Sequence, residues 1–143
     1  MKDLHSTVRT AVALAAAAST TAAGRAGKVI DTAGYGGVEF VVNYGTITAT
    51  DATITVVMQE GDVTGTMTSV ADADMLGTEL LASITATTPR TSGVSKNVTK
   101  RVGYKGNKRY VSLGIASATV TATTPVSATA ILHSANISPV ANP

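Results

Sequence analysis

In the stretch VEFVVNY, Val38, Phe40, Val42 and Tyr44 fall on one face and Glu39, Val41 and Asn43 on the other, the two-residue period of a half-buried strand. ATITVVMQE repeats the pattern, with Ile54, Val56 and Met58 facing one way and Thr53, Thr55, Val57 and Gln59 the other. The short GTITATD between them predicts a hairpin joining the two strands. Further along, EGDVTG reads as a turn, TMTSV as a short strand, and the acidic ADADMLGTE as a loop or a single helical turn ending at Gly77. LLASITATT reads as a strand closed by Pro89, and VSATAILHS as the last strand before an irregular tail, ANISPVANP. About seven or eight short antiparallel strands with turn signals between them predict an all-β fold, either a β-sandwich of jelly-roll-like kind or a small barrel.

The alternation begins only after Gly27, so the pattern divides the chain into an arm at 1–26, a β-sandwich domain at 27–134 and a tail at 135–143. The arm is rich in alanine, and Leu4, Val8, Val12 and Ala15 fall on one helical stripe, which predicts an extended or helical segment held against a partner. The same residues imitate a secretory signal, with Lys2 and Arg9 followed by the apolar run from Ala11 to Ala18. Asp3, His5 and the mild hydrophobicity of alanine argue against that reading. No run approaches the roughly 20 apolar residues of a membrane span, so a membrane is not an expected partner.

Length and charge sharpen the picture. The 143 residues suit one domain with a core of its own. Charged residues make up 14% of the chain, against roughly 25% in ordinary soluble domains. All nine acids lie at or before Glu79, whereas seven of the eleven bases follow it. Arg101, Lys105, Lys108 and Arg109 crowd into RVGYKGNKRY, with Lys96 and Lys100 just upstream. Gly106 and Asn107 suit a two-residue hairpin turn, which would set Tyr104 opposite Arg109, ready to stack on it, and Lys105 opposite Lys108. Like charges so paired cost a few tenths of a kcal/mol, roughly, and an acidic partner would reverse the sign. A nucleic-acid footprint needs stacking aromatics or a reading helix. Phe40 and four tyrosines are too few for the first, so direct nucleic-acid binding is not expected. The four basic residues are instead candidates for docking on an acidic protein surface, and the acidic half of one copy could meet the basic half of the next.

Catalysis finds little support. Without cysteine there is no disulfide, thiolate metal site or thiol nucleophile. Of the two histidines, His5 lies in the arm and His133 ends a strand, neither beside a serine or carboxylate motif. The glycines of GYGG precede a strand, whereas a phosphate loop follows one, and DAD lacks the spacing of a calcium loop. No cofactor, metal or enzymatic activity is expected.

The order of MKDL, DTAGYGGVEFVVNYGTIT, ITVVMQEGD, VADADMLGTE and VGYKGNKRYVSLGI resembles a family of small proteins of tailed bacteriophages and prophages, encoded among the head genes and regarded as capsid decoration, or cement, proteins. GYGGVEFVVNYGTIT and VGYKGNKRYV carry most of the likeness, which runs from about residue 28 to the end. The alanine-rich arm and the long TTPRTSGVSKN segment depart from the family pattern. The resemblance implies a non-enzymatic all-β virion protein, made in the host cytoplasm, that sits outside an expanded icosahedral shell and bridges major capsid protein subunits. Dimers or trimers at local symmetry axes would suit that role. The rival readings are another head, neck or tail component, or a secreted β-sandwich binding module.

Overall fold

The computed structural model describes residues 3–19, 23–49, 51–85, 96–137 and 140. The strands that matter for topology are β1 (Arg9–Ser19), β2 (Val29–Asp31), β3 (Tyr35–Tyr44), β4 (Thr53–Val63), β5 (Thr66–Ser69), β6 (Met75–Leu76), β7 (Ile84–Thr85), β8 (Thr99–Tyr104), β9 (Tyr110–Ala118) and β10 (Thr124–Ala135). One sheet has the order β1-β10-β3-β8-β6 and the other β2-β9-β4-β5, with β7 also on β4. All pairings are antiparallel. Setting aside the two-residue β6 and β7, the chain places β1, β3, β8 and β10 in one layer and β2, β4, β5 and β9 in the other. That alternation between layers is the jelly roll, a double-sheet sandwich built of two Greek keys.

The alternating residues form its interior. Ala130, Phe40 and Val102 make one inward row across β10, β3 and β8, and Leu132, Val38, Tyr104 and Met75 make the next. They meet Ile54, Val56, Met58, Val111, Leu113 and Ile115 from the facing sheet, and all of these are buried. The two faces read from the sequence for β3 and β4 are therefore the faces observed.

The pairing of those strands differs from the expectation. β3 and β4 do not form a hairpin, because β3 pairs with β10 and β8 while β4 pairs with β9, β5 and β7 in the opposite layer. Residues 45–49 and 51–52 instead lie between the two layers' strands, with Ile47, Ala49 and Ala52 buried. The hairpin that does form is β4–β5, turning at Thr64 and Gly65 with Val63 opposite Thr66. The described alanine-rich residues form no helix. Arg9–Ser19 is extended and pairs with β10 from Arg9↔Leu132 to Ser19↔Thr124, contributing Ala13 and Leu14 to the core.

Arg25 fixes this strand in place. Its backbone pairs with Ile115 of β9 in one layer, N–H to carbonyl at 2.8 Å and the reverse at 2.9 Å. Its guanidinium reaches into the other layer, donating to the carbonyls of Ala15, Ala17 (3.1 Å) and Val126 (3.3 Å). The three carbonyls lie where the β1–β10 register shifts, so arginine satisfies acceptors that the irregular ladder leaves over. Gly27 permits the close approach, since a Cβ there would stand 1.8 Å from the Leu113 carbonyl oxygen.

LLASITATT, expected as a strand, opens as the helical turn α1 (Glu79–Ala82) before β7. Thr78 is its N-cap, accepting from the Leu81 N–H at 3.2 Å. Glu79 and Ser83 lie four residues apart on one face of that turn. The Glu79 carboxylate accepts the Met58 N–H and the Ser83 hydroxyl accepts the Val56 N–H (2.8 Å), so two side chains take the place of a strand along this stretch of β4. The rest of ITATT and most of TTPRTSGVSKN lie outside the described residues.

Candidate docking surface

The basic segment is not a hairpin. Tyr104 pairs with Val38 of β3 and Met75 of β6, whereas Tyr110 pairs with Asp31 of β2 and Gly61 of β4, so 105–109 carries the chain from one layer to the other. Tyr104 organises the crossing. Its buried hydroxyl donates to Glu60 Oε2 at 2.5 Å and accepts the Lys108 N–H at 3.0 Å, while the Lys105 N–H donates to the Asp74 carbonyl at 2.9 Å. Burial, then the Glu60 hydrogen bond, raises the Tyr104 pKa well above that of a free phenol. Gly106 lies flat on the ring: a Cβ there would come within 2.5 Å of the hydroxyl and 2.6 Å of ring carbons. GYKGNKRY thus reads as the chemistry of a crossing loop, and its resemblance to a hairpin turn is local only.

The crossing also disperses the positive charge. Lys108 Nζ is 2.6 Å from Asp62 Oδ2 instead of facing Lys105. Arg109 makes a two-nitrogen contact with Asp31, at 3.1 and 2.9 Å, and its guanidinium stacks 5.0 Å from the ring of Tyr110, not on Tyr104. The Arg109 hydrogen bonds, followed by the Ala33 N–H, hold the Asp31 carboxyl below its ordinary pKa. Arg101 stands 3.6 Å from Glu39. The acidic and basic halves of the sequence therefore meet within one copy of the chain. Among the four candidates, Arg101, with 81% of its side chain exposed, and the exposed Lys105 are left facing outward.

Beside Arg101 lies a feature that the sequence reading missed. Because Glu79 and Ser83 turn inward, Leu80 and Leu81 turn outward and are 72% and 66% exposed, and Leu76 on the edge strand β6 is 50% exposed. Leu76, Gly77 and Leu81 share a shallow depression of about 390 Å³ with Glu39 and Arg101. Leu76 and Leu81 thus share one depression with a charged pair, and Leu80 is exposed on the same helical turn; exposed apolar side chains grouped beside charge are a mark of interaction sites. The signal available in the sequence was ELLA after a threonine cap, read as a strand because the run beyond it is rich in β-formers.

The remaining candidates are dispersed. His133, on β10, contacts the adjacent Ser134 hydroxyl at 3.0 Å, and its ring occupies the space left by Gly37. His5 lies in the turn preceding β1. Among the described residues no group of three or more histidine, aspartate and glutamate side chains converges as a metal site, and no helix is long and apolar enough to cross a membrane.

No protein-family model and no curated protein matches this chain. Solved structures offer partial likenesses. One is of Bacillus endospore appendages, described as a family of disulfide-linked pili, at 16% identity and a TM-score of 0.46 over 89% of this chain and 88% of that one. Another is of infectious bursal disease virus, Gx strain, at 9% identity and 0.49, covering 92% of this chain but 33% of the other. A third is the SPBc2 prophage-derived protein YomS, at 9% identity and 0.41 over 87% and 92%. These are likenesses of chain path. With no cysteine, this chain has no means of forming the disulfide linkage of the first.

Proposed function

We propose that this protein is a non-enzymatic structural component of a tailed-phage head that docks on the outside of the shell, bridges major capsid protein subunits and stabilises them. The observation that carries the proposal is the depression that exposed Leu76 and Leu81 share with Arg101 and Glu39, with Leu80 exposed on the same helical turn. An apolar centre with a charged rim is the anatomy of a protein interface, in which leucines supply buried area and rim charges set orientation. The jelly-roll scaffold presents it on short, rigid elements, and the order of the phage-like segments in the sequence points to the shell as partner. Association into dimers or trimers at local symmetry axes belongs to the same proposal.

Co-sedimentation with expanded shells lacking this protein tests it. Saturable binding at a fixed ratio to capsid subunits is expected, and the paired change Leu80→Asp and Leu81→Asp should abolish it while leaving the melting temperature unchanged, since both side chains are already in water. Absence of binding by the unmodified chain would reject the reading and direct attention to the neck and tail.

A further inference from the structure

The two layers of the sandwich do not close along one side. β1 is joined to β10 and β2 to β9, but no ladder joins β1 to β2. The seam is held where Arg25 bridges the layers and, at its last pinned point, where the Lys28 N–H donates to the Ala13 carbonyl at 2.7 Å. Beyond that point it opens into a groove of about 520 Å³, with Arg9 to Val12 on one wall and Lys28 to Ile30 on the other. This volume lies within the roughly 300–1,000 Å³ of ligand-binding clefts. The walls are strand edges, the surfaces that proteins ordinarily protect with charge, proline or a covering segment. Here the edge of β1 carries neither charge nor proline from Thr10 to Ser19.

The side chains define what fits. Ala11, Val12, Val29 and Ile30 make the groove apolar, with Val12 51% and Val29 41% exposed. Arg9 and Lys28, both exposed, stand at its rim, and no acid lines it among the described residues. Asp31, the residue after Ile30, is held by two nitrogens of Arg109 and also lies close enough to Arg9 to feel its charge. Apolar walls, strand edges with no ladder between them and a rim carrying two bases together describe a receptor for an extended strand that carries carboxylates. We propose that the β1–β2 groove binds an extended acidic segment of a partner protein by strand addition, its small apolar side chains entering between Val12 and Val29 and its carboxylates meeting Arg9 and Lys28. This site is separate from the leucine surface and does not depend on the shell being the partner.

A peptide probe tests it on the intact chain. The probe is an acetylated, amidated six-residue peptide, Val-Asp-Val-Thr-Val-Asp, titrated while backbone amide shifts are followed by NMR. Saturable shifts confined to residues 9–12 and 28–31 are expected. A peptide with lysine in place of both aspartates should bind about ten-fold more weakly, the effect of replacing two rim attractions by repulsions. The acidic peptide N-methylated at alternate residues, which lacks the N–H donors of an added strand, should lose binding altogether. Val12→Lys, an exposed change that obstructs the groove and adds no core strain, should do the same with an unaltered melting temperature. Shifts elsewhere, or equal binding of acidic and basic peptides, would overturn the proposal. Concentration-dependent shifts at these amides without peptide would assign the groove to a second copy of the chain and likewise overturn it. None of these outcomes bears on co-sedimentation through Leu80 and Leu81, so the two proposals fail separately.

Discussion

Replacing Tyr104 by phenylalanine isolates the part of the basic segment that the fold itself requires. The ring would keep its place in the inward row with Val38 and Met75 and its contact with Gly106, so the change removes one oxygen and little packing. That oxygen makes two hydrogen bonds, to Glu60 Oε2 at 2.5 Å and from the Lys108 N–H at 3.0 Å. A hydrogen bond to a charged group contributes about 1.5–3 kcal/mol and a neutral one about 1 kcal/mol. Glu60 is half-buried, so water recovers part of the first. The net loss should be about 2–3 kcal/mol, which for a chain of this size lowers Tm by roughly 6–12 °C. Urea and thermal melts at pH 7 measure it, with Tyr110→Phe as the control. No hydrogen bond to that tyrosine's hydroxyl is seen among the described residues, and its loss should cost about 0.5 kcal/mol or less. A Tyr104→Phe loss as small as the control's would refute the argument that this hydroxyl ties the two layers together.

Three further expectations follow from the same geometry. Gly106→Ala should destabilise by about 1–3 kcal/mol in denaturant melts, because its Cβ would overlap the Tyr104 ring at 2.5–2.6 Å. Arg25→Ala should cost about 2–3 kcal/mol and cause loss of amide hydrogen-exchange protection confined to β1 and the adjoining part of β10; Arg25→Lys should restore little, since an ammonium does not span three carbonyls as a guanidinium fork does. Tyr44, whose hydroxyl donates to the Ala82 carbonyl at 2.7 Å, and Tyr104 both hold their protons past the ordinary tyrosine pKa of 10.0, chiefly because of burial. Above that pH the unfolded chain binds fewer protons than the folded one. Stability should be flat on this account up to about pH 10 and then fall by roughly 1.4 kcal/mol per pH unit for each tyrosine, with Tyr104→Phe halving the slope of the alkaline melts.

What the sequence determined by itself is local. The inward faces of β3 and β4 were legible because side chains alternate across a strand with a period of two, a property of the backbone and of no other part of the chain. The all-β class followed from the same pattern and from the density of turn signals. Partner choice was not legible, since nothing in GTITATD or KGNK distinguishes a turn back within one sheet from a passage to the other. That was decided by burial, which sets Tyr104 against Glu60 of the facing layer and leaves Arg109 to meet Asp31. The division of charge along the chain was plain, yet only the tertiary structure brought Asp31, Glu39 and Asp62 to Arg109, Arg101 and Lys108, neutralising much of what looked like a docking patch. The alanine-rich start was ambiguous because alanine favours a helix when isolated, whereas ladder bonds to β10 and the guanidinium of Arg25 make the extended form the stable one. Leu80 and Leu81 were read as strand residues because propensity is a weak signal over four residues. Their exposure, and with it the surface on which the proposed function rests, arises from the Thr78 cap and from Glu79 and Ser83 filling the edge of a strand some twenty residues earlier in the chain.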